Sequence, residues 1–584
     1  MLKFITALLS ASTKKLDKSL KNIPTHQIIL ATAAILFLFD KYPMLARMYR
    51  SRHNSSVKQS ALDVAYGIFK NLPPLKQYIN KELAQNISSI NKELQAERAN
   101  MRLKKELPEE SVPAHEILQA FGIEPAACNY DFSAAPNKPS AKKLVVQKGD
   151  GQDSGTLYAV HTEELTALLK ETFASTALSN PMHNKWPRIS AMRSEITQWA
   201  LKLFGGSEHD YGLLTHGGTT SIIEAMAAYV IAARNRGIAQ PEIVIPETAH
   251  AAFKKAAQLT GATLITVPVD PKTGAVSAKT MEKYLSDNTA VMVGSAPSFM
   301  YGICDPISEL SELALRKKIP FHVDACLGGF LTAFADTSAN PMDFRLPGVT
   351  SISADFHKYG LCPKGTSICM FRSDAPALPV FSAADWAGGL YATPGILDGS
   401  TSGARIAEIY TTMSYYGHKK YREITNNIVE LRKTIQGLFV KLTQEDSGLT
   451  ENDIYIFGDP QWSVLGFRSA NLNCFSIMEE MKKRGWELNA LQNPDGFHMC
   501  LTHVHTLMPD FAKKFIEDLQ NAVAAVKKYG KDHKPANIVK VYGKIKMMPN
   551  EVQQRACVDY EKARLFFHAD VPGVSSGSTF TPQV

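Results

Sequence analysis

Cysteine is sparse in this chain, which has eight cysteines among 584 residues and no Cys-x-x-Cys pair. Closely spaced cysteine pairs are typical of structural zinc sites, and a high cysteine content in a short chain indicates a disulfide-linked fold. Neither pattern is present, and the cysteines stand singly among apolar neighbours. We therefore expect buried, reduced thiols, a reducing compartment and no metal site.

The sequence also lacks a basic stripe interleaved with aromatic residues beyond its N-terminal region. The formal net charge is +8. Much of the excess flanks one apolar run, at Lys14, Lys15, Lys18, Lys21, Lys41, Arg47, Arg50 and Arg52. This distribution indicates a membrane surface rather than a nucleic-acid groove, so we expect no nucleic-acid partner.

That apolar run, Ile28–Phe39, is shorter than a standard membrane-spanning helix. It contains twelve uncharged residues, whereas a span needs ~20. A short membrane anchor, a signal-peptide core and a buried helix are the three interpretations. No small-residue cleavage site follows the run, and a buried helix would normally show a polar face. We therefore predict an N-terminal membrane anchor.

Changes in composition and in the predicted secondary structure divide the chain into five parts. Residues 1–60 hold the anchor and its basic flanks, and residues 61–125 are rich in Lys and Glu and are predicted to be helical. In residues 126–404, short β-branched runs alternate with helical stretches, which predicts an α/β domain with a mainly parallel sheet. The predicted strands are Glu242–Pro246, Thr263–Val267, Ala290–Ser295, Pro320–Asp324 and Ser367–Phe371. Residues 405–535 predict a smaller, helix-rich α+β domain. Residues 536–584 form a basic and then polar tail.

A glycine-rich turn opens one of the predicted helices. The segment Thr215–Thr219 reads Thr-His-Gly-Gly-Thr, and the helical pattern continues to about Arg234. Gly217 and Gly218 let backbone N–H groups approach an anion, the helix N-terminus favours negative charge, and Thr219 adds a hydroxyl donor. Taken alone, the motif is explained equally well by a glycine turn with a threonine N-cap.

Two later residues favour a phosphate cradle. Asp324 ends the predicted strand Pro320–Asp324, at the edge where α/β sheets place their ligands. Lys358 follows His357 in a turn with glycine and proline close behind, which suits a Schiff-base lysine. Taken alone, Asp324 would be interpreted as the N-cap of the following helix, and Lys358 as a solvent-exposed surface lysine. Together they are the two protein groups that pyridoxal phosphate (PLP) needs most, an imine lysine and a carboxylate for the pyridinium nitrogen.

Two histidines stand beside these groups. His250 follows the predicted strand Glu242–Pro246 and opens the next helix. Its imidazole is placed to stack on a cofactor ring, with a capping or core histidine as the alternative. His357 precedes the lysine and is placed to donate to the cofactor phosphate.

The motifs resemble the fold-type I PLP enzymes, in the group that includes amino-acid decarboxylases, and more closely the sphingosine-1-phosphate lyases. The resemblance covers about residues 110–530 and rests on Ser179–His183, Gly217–Thr219, Thr248–Phe253, Val323–Phe330, His357–Gly360, Pro363–Gly365 and Asp385–Tyr391. The sequence departs from the pattern at Thr220, where many relatives have glutamate. It departs again at Gly399–Gly403, where eukaryotic relatives tend to have an arginine.

This resemblance implies an aspartate-aminotransferase-like fold and a homodimer with both active sites at the interface. Lys358 would hold PLP as an imine, Asp324 would pair with the ring nitrogen and His250 would stack on the ring. The cofactor phosphate would be held by Gly218, Thr219 and His357, with Gly389 of the other subunit. The substrate phosphate would be met by Tyr158, His183 and Lys364.

The implied reaction is that of a carbon–carbon lyase. It cleaves the C2–C3 bond of a phosphorylated sphingoid base, such as sphingosine 1-phosphate, into a long-chain aldehyde and phosphoethanolamine. The base for the C3 hydroxyl is left open between Lys358, a tyrosine such as Tyr301 and the substrate phosphate. An amino-acid decarboxylase and a catalytically inactive, membrane-tethered binding protein are the alternatives. The expected location is a membrane, that of the endoplasmic reticulum in a eukaryotic or host cell, with the catalytic body in the cytosol.

Overall fold

The computed structural model describes residues 103–132, 151–182, 185–373, 375, 381–386, 388–444, 448–529 and 550–565, with six single residues between 77 and 92. The chain divides into two units, Met1–Arg102 and Leu103–Val584. The helices and strands named here all belong to the second unit. The predicted anchor Ile28–Phe39 and the candidate substrate ligand His183 lie outside the described residues.

A seven-stranded sheet forms the centre of the large domain. Its strands are β1 Tyr211–Thr215, β2 Glu242–Pro246, β3 Thr263–Val267, β4 Thr289–Ser295, β5 Phe321–Asp324, β6 Val349–Ala354 and β7 Ser367–Phe371. Their order is β1-β7-β6-β5-β4-β2-β3, and the five strands from β6 to β3 are parallel. Strand β7 runs antiparallel to both β6 and β1. The mainly parallel sheet predicted from the sequence is confirmed.

Helices alternate with these strands along the chain. In the large domain they are α1 Ala114–Ala120, α2 Glu163–Thr176, α3 Pro187–Leu203, α4 Gly218–Asn235, α5 Ala252–Thr260, α6 Ala278–Glu282, α7 Ile307–Lys317 and α8 Gly329–Thr332. Successive strand residues enter two different apolar cores: Val244 belongs to the core that includes α3 and α7, whereas Ile243 and Ile245 belong to the core that includes α4 and α5. Because strand side chains alternate between faces, both faces of the sheet are covered.

A smaller domain follows the sheet. It consists of α9 Gly403–Gln444, β10 Tyr455–Ile456, β11 Val464–Arg468, α10 Cys474–Lys483, β12 Asn489–Leu491, β13 Gly496–Cys500, α11 His503–Thr506 and α12 Phe511–Tyr529. The strands form an antiparallel sheet of order β10-β11-β13-β12, as an α+β domain requires. The hairpin of β8 Phe381–Trp386 and β9 Gly389–Pro394 precedes it, and α13 Asn550–Leu565 follows it. The predicted boundaries at residues 60, 125, 404 and 535 stay a prediction.

Gly417 interrupts the long helix α9. Its backbone has φ +66° and ψ 165°, outside the helical region. The segment before α1 crosses here, and the N–H groups of His418 and Lys419 donate to the carbonyls of Pro108 and Glu109. A Cβ on Gly417 would lie 2.5 Å from the backbone of Glu110. Only glycine therefore accommodates both the left-handed φ and the close approach.

Two expectations from composition can be compared with the structure. All eight cysteines are free thiols, and five of them (Cys326, Cys362, Cys369, Cys474 and Cys500) are buried. The expectation of buried, reduced thiols is thus met by these five. Across the residues that the structure describes, no helix combines the length and apolar character that crossing a membrane requires.

Candidate active site

A cavity of about 410 Å³ opens at the carboxyl ends of the parallel strands. Eight of the ten predicted site residues line it: Tyr158, Gly218, Thr219, His250, Asp324, His357, Lys358 and Lys364. Of the other two, His183 lies outside the described residues, and Gly389 begins β9, where it pairs with Trp386. The structure therefore brings together residues up to 206 positions apart, while the role of each stays a prediction.

The glycine turn between β1 and α4 forms one wall. Helix α4 begins at Gly218, and Gly217 before it has φ +149°, in the region that favours glycine. A Cβ on Gly218 would lie 2.8 Å from both carboxylate oxygens of Asp355 and from Cys326 Sγ. The missing side chains leave the first N–H groups of a long helix open to the cavity, which is the arrangement that binds phosphate.

Asp324 lies at the end of β5 and is 7% exposed. Its Oδ1 accepts hydrogen bonds from the Cys326 N–H (3.1 Å) and the Ser353 hydroxyl (3.5 Å). The fully buried His322 is within hydrogen-bond distance of Ser353, and burial lowers the pKa of His322 to about 4, so it is neutral at pH 7. Among the described residues no cation touches Asp324, which suits a carboxylate that takes a protonated ring nitrogen as its partner.

Lys358 occupies the floor of the cavity with its side chain 24% exposed. Its Nζ lies 2.9 Å from Oδ2 of Asp355, a carboxylate that is 1% exposed. Burial alone would lower the pKa of Lys358, but Asp355, together with Cys326 and Asp324, raises that pKa above its ordinary value. Asp355 belongs to the same sequence run as the lysine and was not predicted as a site residue. Its position three residues before Lys358, in a turn after β6, was the available signal.

Both candidate histidines reach the cavity. His250 follows β2, and its Nδ1 accepts the N–H of Ala252 (3.1 Å), so it caps α5 while its ring lines the cavity. His357 Nε2 lies 3.5 Å from Asp355, and its buried Nδ1 has no hydrogen-bond partner among the described residues. A buried ring nitrogen beside a helix N-terminus suits a donor to an anion, and thus the predicted contact with a cofactor phosphate.

Tyr158 and Lys364 form the opposite wall. Lys364 Nζ lies 4.9 Å from the centre of the Tyr158 ring, which is a cation–π distance. Burial and the nearby Lys358 ammonium lower the pKa of Lys364. The Tyr158 hydroxyl contacts Cys500 Sγ of the small domain at 3.9 Å. The cavity thus holds two amines with different surroundings, one paired with a carboxylate and one free to meet a second anion.

Tyr301 does not fit the role of base for the substrate. It is 2% exposed and packs in an apolar cluster with Ile303, Phe457 and Leu491, outside the lining of the cavity. Burial raises its pKa to about 12. Of the three bases considered from the sequence, Lys358 and the substrate phosphate remain.

The chain is similar to known proteins over most of its length. A model of the pyridoxal-dependent decarboxylase conserved domain matches residues 156–447. A probable sphingosine-1-phosphate lyase of Legionella pneumophila is 59% identical over 98% of this chain and 96% of its own length. The sphingosine-1-phosphate lyase of Drosophila melanogaster is 34% identical over 86% of this chain and 87% of its own.

Two solved structures are also similar to this chain. The sphingosine-1-phosphate lyase of Burkholderia pseudomallei aligns with a TM-score of 0.60 and 35% identity, covering 65% of this chain and 87% of that one. A Lactobacillus brevis glutamate decarboxylase shares the fold at 21% identity, with a TM-score of 0.55 over 64% of this chain and 88% of that one. On this evidence the chain is a PLP-dependent lyase that belongs to the family of sphingosine-1-phosphate lyases.

Proposed function

We propose that this protein cleaves the C2–C3 bond of phosphorylated sphingoid bases, releasing a long-chain aldehyde and phosphoethanolamine. The observation that carries the proposal is the convergence of Lys358, Asp324 and Lys364 in one cavity, in a chain 59% identical to a probable sphingosine-1-phosphate lyase. The first two residues serve the cofactor. An amino-acid decarboxylase has no evident use for the second amine, that of Lys364.

The predicted site residues divide between the substrate phosphate and the cofactor in this proposal. Lys364 and Tyr158, with His183, bind the substrate phosphate, since a lysine ammonium acts as a point charge on phosphate oxygens. Gly218, Thr219 and His357 hold the cofactor phosphate, Asp324 pairs with the ring nitrogen and His250 stacks on the ring. When bound, PLP supplies an electron sink for the bond that breaks. The C3 hydroxyl loses its proton to Lys358 Nζ or to the substrate phosphate, and C2 gains one.

The homodimer and the membrane anchor belong to the same proposal. Gly389 begins β9 of the hairpin, and the resemblance to the sphingosine-1-phosphate lyases assigns it to the active site of the other subunit. We infer that the hairpin reaches the cavity of a second copy, so that each site is completed at the interface. The run Ile28–Phe39 anchors the enzyme to the membrane that holds its lipid substrate, with the catalytic body in the cytosol.

The direct test is to incubate the purified, PLP-loaded protein separately with sphingosine 1-phosphate and with glutamate. We expect a long-chain aldehyde and phosphoethanolamine from the first substrate, in equal amounts, and no carbon dioxide from the second. Release of carbon dioxide from glutamate without aldehyde formation would make the protein a decarboxylase. The absence of both activities in a PLP-loaded dimer would favour a binding protein.

The Lys364→Ala variant tests the substrate-phosphate contact. Because a charge-assisted contact is worth roughly 1.5–3 kcal/mol, we expect kcat/KM for sphingosine 1-phosphate to fall by about tenfold or more, while PLP stays bound. Unphosphorylated sphingosine, already a poor substrate, is expected to lose little further. Lys513→Ala, at a 72% exposed side chain of α12, is the matched control. Equal kinetics of Lys364→Ala and wild type on both substrates would place the phosphate site elsewhere.

Removal of residues 1–60 tests the anchor. We expect the shortened chain to be soluble without detergent, dimeric, PLP-loaded and active, because no predicted site residue lies before Tyr158. Light scattering, cofactor absorbance and the aldehyde assay measure these properties. A shortened chain that fails to fold, beside a full-length chain that folds, would make the apolar run a core helix.

A further inference from the structure

Asp355 is a buried carboxylate that the proposed reaction leaves without a task. It follows β6, and its side chain is 1% exposed. Its Oδ2 lies 2.9 Å from Lys358 Nζ and 3.5 Å from His357 Nε2. A carboxylate this buried is costly unless it is paired, and Lys358 is the cation that pairs with it.

The other carboxylate oxygen of Asp355, Oδ1, lies at the end of a chain of hydrogen-bonded hydroxyl groups. The Ser367 hydroxyl donates to Oδ1 at 2.6 Å, and Ser221 Oγ lies 2.9 Å from Ser367 Oγ. Thr215 Oγ1 follows at 2.6 Å from Ser221. These hydrogen bonds connect Ser221 of α4 to the carboxylate, and the Ser367 hydroxyl shares the negative charge of Asp355 with Lys358.

Several titratable groups lie near Lys358, but apart from Asp355 none of them forms an ion pair with its amine in the described part of the chain. The groups whose charge acts on or beside it are Asp324, Cys326, Asp355, His357, Lys364 and Cys500. Of these, only Asp355 forms an ion pair with Nζ in the described part of the chain. Burial opposes the ammonium form of Lys358, whereas Asp355, Cys326 and Asp324 favour it. Of the groups that favour this form, Asp355 is the one in ion-pair contact with Nζ in the described part of the chain.

We propose that Asp355 is a positioning residue that holds the Lys358 side chain as an ammonium ion at the cavity floor whenever its nitrogen is not covalently bound to the cofactor. This inference rests on Lys358 as the imine-forming residue. Capture of the cofactor needs the nitrogen lone pair, so the ammonium first gives its proton to water. The nitrogen then bonds to the aldehyde carbon of PLP, and the aldehyde oxygen leaves as water.

The test measures how fast the full-length protein, stripped of cofactor, forms the visible Schiff-base absorbance after PLP is added at different pH values. In the wild type we expect the rate to rise with pH, because only the neutral amine reacts. In Asp355→Asn the midpoint of this rise is expected to fall by about one pH unit or more, equivalent to about 1.36 kcal/mol per unit. The midpoint falls because Asp355→Asn removes the carboxylate that favours the ammonium form of Lys358.

Two further variants separate charge from structure. Asp355→Glu keeps the carboxylate, so its midpoint is expected to stay nearer to the wild type than that of Asp355→Asn. Ser367→Ala removes a donor that competes for the negative charge, so its midpoint is expected to rise. An unchanged or raised midpoint in Asp355→Asn would overturn the proposal, as would a lowered midpoint in Ser367→Ala. These readouts involve no substrate, so they do not depend on which substrate the enzyme cleaves.

Discussion

Lys358→Ala is expected to abolish turnover and to remove the visible Schiff-base absorbance, with kcat falling by roughly 1000-fold or more. The alanine side chain offers no nitrogen to the cofactor, and the other amine of the cavity, Lys364, lies over the Tyr158 ring. The measurement combines an absorbance spectrum after incubation with PLP and the aldehyde assay.

The matched control for this experiment is Lys364→Ala, which removes the second amine of the same cavity. It is expected to keep the Schiff-base absorbance. If Lys358→Ala keeps that absorbance and Lys364→Ala loses it, the imine forms on Lys364 and the assignment of the two amines is reversed. Reduction with borohydride followed by peptide mass spectrometry identifies the modified lysine directly.

Asp324→Asn is expected to lower kcat/KM by about 100-fold or more while the cofactor remains attached. The variant keeps the shape of the side chain but loses the charge that pairs with a protonated ring nitrogen, and losing one partner of a buried ion pair costs about 3–5 kcal/mol. The Cys326 N–H and Ser353 hydroxyl can still donate to the amide oxygen. Steady-state kinetics with the aldehyde assay measure the effect.

The control carboxylate is Asp287, which is exposed in the turn before β4. Asp287→Asn is expected to keep wild-type kinetics and wild-type absorbance. Wild-type kcat/KM in Asp324→Asn would show that the ring nitrogen takes its proton from another group. A loss of the Schiff-base absorbance in Asp324→Asn would instead assign Asp324 to cofactor retention.

The sheet was predictable because its signal is local. Short β-branched runs that alternate with helical stretches identify β2, β3, β4, β5 and β7, and each of these strands was predicted at or within one residue of its observed start. Strands β1 and β6 of the large sheet, β8 and β9 of the hairpin, and the small-domain strands β12 and β13 were not predicted. β6 (Val-Thr-Ser-Ile-Ser-Ala) and β12, three residues long, carry little local signal and become strands through pairing with their neighbours.

The candidate site was predictable where a residue stands in a motif. Lys358 with its preceding histidine, Asp324 at a strand end and the Gly217-Gly218 turn can each be found from neighbours along the chain. Asp355 was quoted in the same run and still had no assigned role. The role of Asp355 depends on Oδ2 lying 2.9 Å from Lys358 Nζ and on Oδ1 accepting a hydrogen bond from Ser367 of β7. Neither contact can be inferred from the neighbours of Asp355 along the chain.

The sequence by itself therefore determined the α/β class, the family resemblance and eight of the residues that line the cavity, because backbone propensity and motif chemistry act over a few neighbouring positions. Tertiary structure alone decided which groups touch. In the folded chain Tyr301 lies in an apolar cluster, and Cys500 of the small domain contacts the Tyr158 hydroxyl. Lys358 forms an ion pair with Asp355. Hydrogen bonds and ion pairs act over about 3–4 Å in space, a distance that separation along the chain does not predict.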